Sequence, residues 1–164
     1  MLDLEYLKDS PVFKGFTSEQ FETLSYVVGD VAIPKGHLLF KEGSLARSMF
    51  ILRDGEIELF QEAGGVVFAS LGEGDIFGEM AVIRDLPRSC SARAASNCSL
   101  WTISQEKLDT LRQQAPALWG TLMFNVAGIL ADRLAAVQAK LHSDGGPVST
   151  KVEERGFLGR LLGH

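Results

Sequence analysis

Leu71-Gly72-Glu73-Gly74-Asp75-Ile76-Phe77-Gly78-Glu79-Met80-Ala81-Val82, followed after five residues by Arg88-Ser89, is the stretch on which the reading of this chain turns. Gly78 is read as the end of a strand, and Glu79 then begins a short helix. Backbone N–H groups at a helix start lack intrahelical partners and carry partial positive charge, so they attract an anion such as phosphate. A glycine at that junction lets a ligand approach the backbone closely.

An anion site by itself has no use for Glu79, because a carboxylate repels phosphate unless it faces another part of the same ligand. A sugar hydroxyl is such a part. Arg88 brings a planar fork of donors that can bind two phosphate oxygens, which lysine cannot do. Ser89 adds a hydroxyl, and Pro87 fixes one torsion just before the pair. The set suits a ribose carrying a cyclic phosphate. Taken as residue types alone, Glu79 and Arg88 are better explained as a surface ion pair worth about 0–1 kcal/mol.

Outward from this stretch, Asp30 to Ile103 is built of short β-rich runs separated by glycine and acidic turns: Val31 to Ile33, His37 to Lys41, Met49 to Arg53, Glu56 to Gln61, Val66 to Leu71, Ser89 to Ala94 and Cys98 to Ile103. Such spacing predicts a sandwich or barrel. Glu56-Ile57-Glu58-Leu59 alternates as a strand with one wet face must. Met49-Phe50-Ile51-Leu52 is apolar throughout, so structure should cover it on both sides, and Asp54-Gly55 after it reads as a tight hairpin turn.

The flanks are helical in texture. The first thirty residues carry a capping box, Thr17-x-x-Gln20, with Phe21, Leu24, Val27 and Val28 on one face behind it. After Ile103, Ser104 is the expected N-cap of a helix with Glu106 in its first turn and Leu108 and Leu111 on a face. Pro116 opens a second helix to about His142, roughly 40 Å long at a rise near 1.5 Å per residue. Its pattern is double. Met123, Ala127, Leu130, Leu134, Val137 and Leu141 form one row, and Trp119, Leu122, Val126 and Ile129 another. One row can cover the barrel while the other meets a second copy as a seam, giving a homodimer. A helix buried within its own monomer is the alternative.

With 164 residues, 46% hydrophobic and 23% charged, one main domain is expected. The formal charge of −5, with scattered basic residues, disfavours direct nucleic-acid binding. Cys90 and Cys98, placed in consecutive strands, match neither a zinc ribbon nor a disulfide framework, so reduced thiols are expected. The acidic N-terminus lacks the layout of a signal peptide, which predicts a cytoplasmic location. The apolar run Ala117 to Ala131 is shorter than a membrane span needs and is interrupted by Gly120, Thr121 and Asn125.

Phe77 to Val82 with Arg88-Ser89 resembles the phosphate-binding cassette of the cyclic nucleotide-binding domain family, typified by bacterial catabolite activators and protein kinase A regulatory subunits. Leu39-Phe40, Glu42-Gly43-Ser44, Met49 to Leu52 and Gly55 are similar to that family's first motif, and the likeness extends from about Leu7 to Leu141. It implies a mainly β fold, an eight-stranded jelly-roll barrel with N-terminal helices and a long C-terminal helix. Residues 1–142 would be the binding domain, with helical 1–29, barrel 30–103 and helical 104–142, and 143–164 a linker and short tail that includes Ser143-Asp144-Gly145-Gly146-Pro147.

By that resemblance Glu79 and the Gly78 backbone hold the ribose, and Arg88, Ser89 and the N–H of Ala81 hold the cyclic phosphate. Met80 and Cys90 lie among the contacts, Cys90 standing where the family usually has alanine. Arg133, beside Leu134, falls where the family contacts the base. Cyclic AMP is the expected ligand, with cyclic GMP possible, and no further cofactor or metal is expected.

Three rival readings have less support in the residues. His37, His142 and His164 make no metal set, and no Ser/His/Asp arrangement is present, so catalysis is not expected. About twenty residues follow His142, too few for a winged helix-turn-helix. A degenerate domain used only for dimerisation or docking would have little reason to hold Arg88, and a cyclic di-GMP sensor remains a further alternative. The expectation is a sensor that signals through its C-terminal helix to an output partner the residues do not name, with Val152 to His164 a candidate output element.

Overall fold

The computed structural model describes residues 8 and 10–143. The tail expected to act as an output element, and residues 144–147 of the linker, lie outside them. The chain divides into two compact units, Met1–Ile129 and Leu130–His164.

Among the described residues eight strands form two antiparallel sheets. They are β1 (Gly29–Ile33), β2 (Leu38–Phe40), β3 (Ser48–Asp54), β4 (Ile57–Phe60), β5 (Val67–Leu71), β6 (Ile76–Phe77), β7 (Ser91–Ala94) and β8 (Cys98–Ser104). One sheet runs β1-β8-β3-β6 and the other β2-β7-β4-β5, the order of a jelly roll. Each sheet draws its strands from far apart in the chain, so the barrel closes through long-range pairs such as Ile51 with Trp101 and Leu59 with Ala92.

β3 lies between β8 and β6, and its burial follows from that place. Leu52 joins Ile57, Leu71, Phe77, Ala92 and Leu100 in the core between the sheets. Met49 and Ile51 point to the opposite face. They are fully buried too, so both faces of the strand are covered as its unbroken apolar run requires. Each of these side chains contributes about 1.5–3 kcal/mol through burial.

Asp54-Gly55 is not a hairpin turn. β3 pairs with β6 and β8, whereas β4 pairs with β5 and β7, so the dipeptide carries the chain from one sheet to the other. The local signal was the same, but the register belongs to a corner. Gly55 has φ +100°, and a Cβ there would stand 2.5 Å from the Asn97 carbonyl oxygen, so the corner is packed directly against the β7–β8 turn.

At the N-terminal flank the helical expectation is too long. A 3-10 turn covers Pro11–Phe13 and α1 only Ser18–Ser25, and β1 begins at Gly29 rather than Val31. The capping box is complete: Gln20 N–H donates to Thr17 Oγ1 at 3.2 Å, and Thr17 N–H donates to Gln20 Oε1 at 2.9 Å. Phe21, Leu24 and Val28 are buried as expected, and Val27 is half-buried. Cys90 precedes β7 instead of lying in a strand, while Cys98 opens β8, and both are free thiols.

After the barrel, α3 (Gln105–Gln114) starts at Ser104, whose Oγ accepts from Lys107 N–H. α4 follows over Pro116–Ser143. Within Pro116–Leu141 it is long and apolar enough to cross a membrane by length and composition, an 18-residue window reaching mean hydropathy 1.3. Alanines and leucines beyond Asp132-Arg133 extend the apolar character of the helix past Ala131. Its first half, however, is part of the domain. Leu118, Leu122 and Val126 are buried, and Asn125 Nδ2 donates to the Val12 and Lys14 carbonyls at 2.9 Å each.

Candidate functional site

The cassette is positioned by a strand that stops, a glycine and a short helix. β6 ends at Phe77, Gly78 takes φ +73°, and α2 (Glu79–Arg84) begins at Glu79. The strand stops one residue before the glycine at which the sequence reading ended it, and the helix starts at Glu79 as expected. Asp85, with φ 51°, reverses the chain after α2. The returning arm is then tied to the β2–β3 connection: Leu45 bridges Pro87, Arg88 N–H donates to Ser44 O at 2.9 Å, and Gly43 N–H donates to Arg88 O at 2.8 Å. Backbone hydrogen bonds on both sides therefore fix where the Arg88 side chain starts.

That side chain turns inward. Arg88 is 5% exposed and Glu79 3%, which removes the reading of the two as a surface ion pair. Nη1 of Arg88 donates to Gly78 O at 2.7 Å and Nη2 to Ser48 O at 2.6 Å. Its Nε–H is buried without a hydrogen-bond acceptor, and among the described residues no carboxylate lies within ion-pair distance of it. Burial pushes the guanidinium below its ordinary value, opposed by the nearby Cys90 and Glu79. Arginine stays charged at neutral pH nonetheless. A desolvated cation with two carbonyls and a nitrogen, Nε, that has no acceptor is an arrangement that an anion would complete.

Glycine at position 78 follows from the same packing. A Cβ there would come within 2.5 Å of Arg88 Nη1, in addition to the strain of its left-handed backbone. Under the guanidinium lies an aromatic floor that the sequence reading did not assign to the site. The Arg88 Cζ stands 4.1 Å from the centre of the Phe40 ring and 5.8 Å from that of Phe50. Phe50 and Phe77 are register partners across β3 and β6 and stack at 5.3 Å, and Phe40 approaches both from the other sheet. In the sequence Phe40 and Phe50 stand only within apolar motifs. Apolar strand residues carry no mark in sequence of whether they pack a core or support a charge.

The structure thus brings Gly78, Glu79, Arg88 and Cys90 together. Burial pushes the Cys90 thiol up, a hydrogen bond with Ser89 opposes this, and Glu42 adds to it. Ser89 and Met80 are exposed at the edge, and the backbone of Ala81 lies in the first turn of α2. Arg133 stands half-buried on α4 within the unit Leu130–His164. A polar cluster beside the cassette also escaped the sequence reading. Buried Ser91 donates to Glu62 Oε1 at 2.5 Å and accepts from Glu42 N–H at 2.8 Å. Among the described residues no group of histidines, cysteines and carboxylates could hold a metal ion.

The sequence matches the cyclic nucleotide-binding domain family over residues 30–115. It is 31% identical over 139 residues to the cyclic AMP receptor protein of Thermus thermophilus, covering 82% of this chain and 62% of that protein. An uncharacterized NTE family protein of Mycobacterium tuberculosis is 28% identical over 134 residues, covering 82% of this chain and 23% of that protein. A crystal structure from Geobacter metallireducens, described as a putative cyclic nucleotide-binding protein, superposes with a TM-score of 0.71 at 30% identity, covering 82% of this chain and 99% of the other. The chain belongs to the cyclic nucleotide-binding domain family. It spans less than two thirds of the length of the two sequence relatives.

Proposed function

We propose that the chain is a regulatory module that binds cyclic AMP at the cassette and signals through α4, and that it performs no catalysis itself. The observation that carries this reading is the Arg88 guanidinium, buried with an unsatisfied Nε–H and with no carboxylate at ion-pair distance among the described residues. A cyclic phosphate supplies the missing anion to Arg88, Ser89 and the N–H of Ala81. Glu79 and the Gly78 backbone take the ribose, Met80 and Cys90 border it, and Arg133 is the residue proposed to read the base. The preference for cyclic AMP over cyclic GMP or cyclic di-GMP follows the Thermus relative, which is named for cyclic AMP. A cytoplasmic location is consistent with this role.

The ligand acts by preferring one position of α4, since it can shift an equilibrium only through different contacts in the two states. A second copy of the chain is the proposed reader of that shift, although a separate output protein would serve the same scheme. Support comes from Leu134, Val137 and Leu141, which lie 58%, 52% and 47% exposed along one row of the helix. Sedimentation tests it: a monomer at high concentration, with and without nucleotide, excludes the seam.

Thermal shift with cyclic AMP, cyclic GMP and cyclic di-GMP tests the ligand. A nucleotide at a hundred times its dissociation constant adds about 2.7 kcal/mol, a rise of roughly 5–10 °C for a domain of this size. No rise with any of the three overturns the reading.

A further inference from the structure

We propose that Phe40 is a positioning residue for the anion-binding arginine, its ring serving as the platform that fixes the plane of the Arg88 guanidinium. The proposal rests on the cyclic-nucleotide reading of the site and adds to it the group that orients the arginine before the ligand arrives.

Two hydrogen bonds and one surface determine how a planar fork lies. The bonds from Nη1 to Gly78 O and from Nη2 to Ser48 O fix its rotation within its own plane. They do not fix the plane itself, because a carbonyl accepts over a broad range of directions. The Phe40 ring does, since its centre stands 4.1 Å from Cζ, where the negative face of the ring attracts the cation. Phe40 is itself held: Phe50 stacks on it at 6.0 Å with 22° between planes, and Phe77 meets it at 6.1 Å and 33°. β2 carries Phe40 in one sheet, and β3 and β6 carry the other two in the facing sheet. Ring and guanidinium are therefore set by the closure of the barrel. With the plane fixed, the donors not given to the two carbonyls, Nε–H among them, have fixed directions, and a phosphate meets them without first ordering the side chain.

Titration of cyclic AMP into the wild-type chain, Phe40→Leu and Phe40→Tyr tests this. The leucine variant should bind about 3- to 30-fold more weakly, the range expected for losing a cation–π contact, and the tyrosine variant should recover wild-type affinity. In an Arg88→Gln background, Phe40→Leu should change affinity less than about twofold, because its effect runs through the arginine. Equal losses in both backgrounds, or a leucine variant that binds as the wild type does, overturn the proposal. A second readout needs no ligand. In 1H–15N spectra the Arg88 Nε–H should be displaced by the aromatic ring in the wild-type and tyrosine proteins and return to an ordinary position in the leucine protein. An unchanged Arg88 signal in Phe40→Leu also overturns it. Phe40→Met takes the place of the leucine variant where that protein does not fold. If the wild type binds no cyclic AMP, the ligand reading falls, and the spectra alone decide whether Phe40 orients Arg88.

Discussion

Arg93 and Arg88 stand close together in the chain and on the same aromatic-lined barrel, yet they are supported in opposite ways. Arg93, on β7, donates from Nε to Glu58 Oε2 at 2.7 Å, with the two side chains 43% and 26% exposed, and lies over Phe60 at 4.9 Å. Arg88 lies over Phe40 at 4.1 Å, is buried, and gives its hydrogen bonds to neutral carbonyls. Arg93 carries its counter-ion within the fold and keeps solvent access, so it explains itself. Arg88 has neither, and the cost of its desolvation is answered only in part by the protein. An arginine that lacks its anion marks a site, whereas one that has it marks a surface.

The largest effect should come from removing the unanswered charge. Arg88→Leu loses the charge-assisted bonds to phosphate, each contributing about 1.5–3 kcal/mol, so cyclic AMP affinity should fall by about 10²- to 10⁴-fold. Melting temperature without nucleotide should change little, because relief from burying the cation is offset by the Gly78 and Ser48 carbonyls and the buried Glu79 left without it. Calorimetric titration and a melting curve measure both. A variant whose response to nucleotide equals that of the parent would break the contrast between the two arginines.

Gly78→Ala strikes the same group through the backbone. The left-handed conformation costs a residue with a Cβ about 1–2 kcal/mol. In addition, the new methyl would stand 2.5 Å from Arg88 Nη1, so the guanidinium must leave its carbonyl. Affinity should fall at least about tenfold, and the melting temperature by about 2–8 °C. If the melting temperature falls and affinity does not, Arg88 is not being held for a ligand.

Glu79→Gln sharpens the division of labour within the site. A hydrogen bond from a sugar hydroxyl to a carboxylate contributes about 1.5–3 kcal/mol, so cyclic AMP should bind about 10- to 100-fold more weakly. The 2′-deoxy analogue should bind wild type and variant about equally. A variant that weakens both ligands alike would assign Glu79 to the electrostatics of Arg88 instead of to the ribose.

The contrast between these arginines was half legible in the sequence. Gly78, Glu79 and Arg88 could be picked out because their types are unusual beside one another, and the strand–glycine–helix junction follows from local chemistry. Thr17 and Gln20, Ser104 and Pro116 announced their helix starts for the same reason. What the sequence could not show is set by closure of the barrel. Asp54-Gly55 has the composition of a hairpin, and only pairing with distant strands makes it a corner. Phe40, Phe50 and Phe77 look like ordinary core residues until two sheets bring them under one cation. Ser48 contributes a carbonyl, which no side-chain pattern records. The burial of Glu79 and Arg88, which decides between ion pair and site, is likewise a property of the folded chain.

Arg93→Leu is the smallest effect and the control on which the comparison depends. Arg93 and Glu58 are cross-strand partners on β7 and β4, close enough for a direct bond and open enough to be screened. Such a pair contributes about 0–1 kcal/mol, so the melting temperature should fall by no more than about 4 °C. The difference should shrink further as salt is raised, because screening weakens an exposed pair more than a buried one. Affinity for cyclic AMP should stay where it was, since Arg93 already has its anion. A loss of affinity comparable to that of Arg88→Leu would mean that the exposed arginine also reaches the ligand, and that a carboxylate partner does not disqualify an arginine in this barrel from binding phosphate.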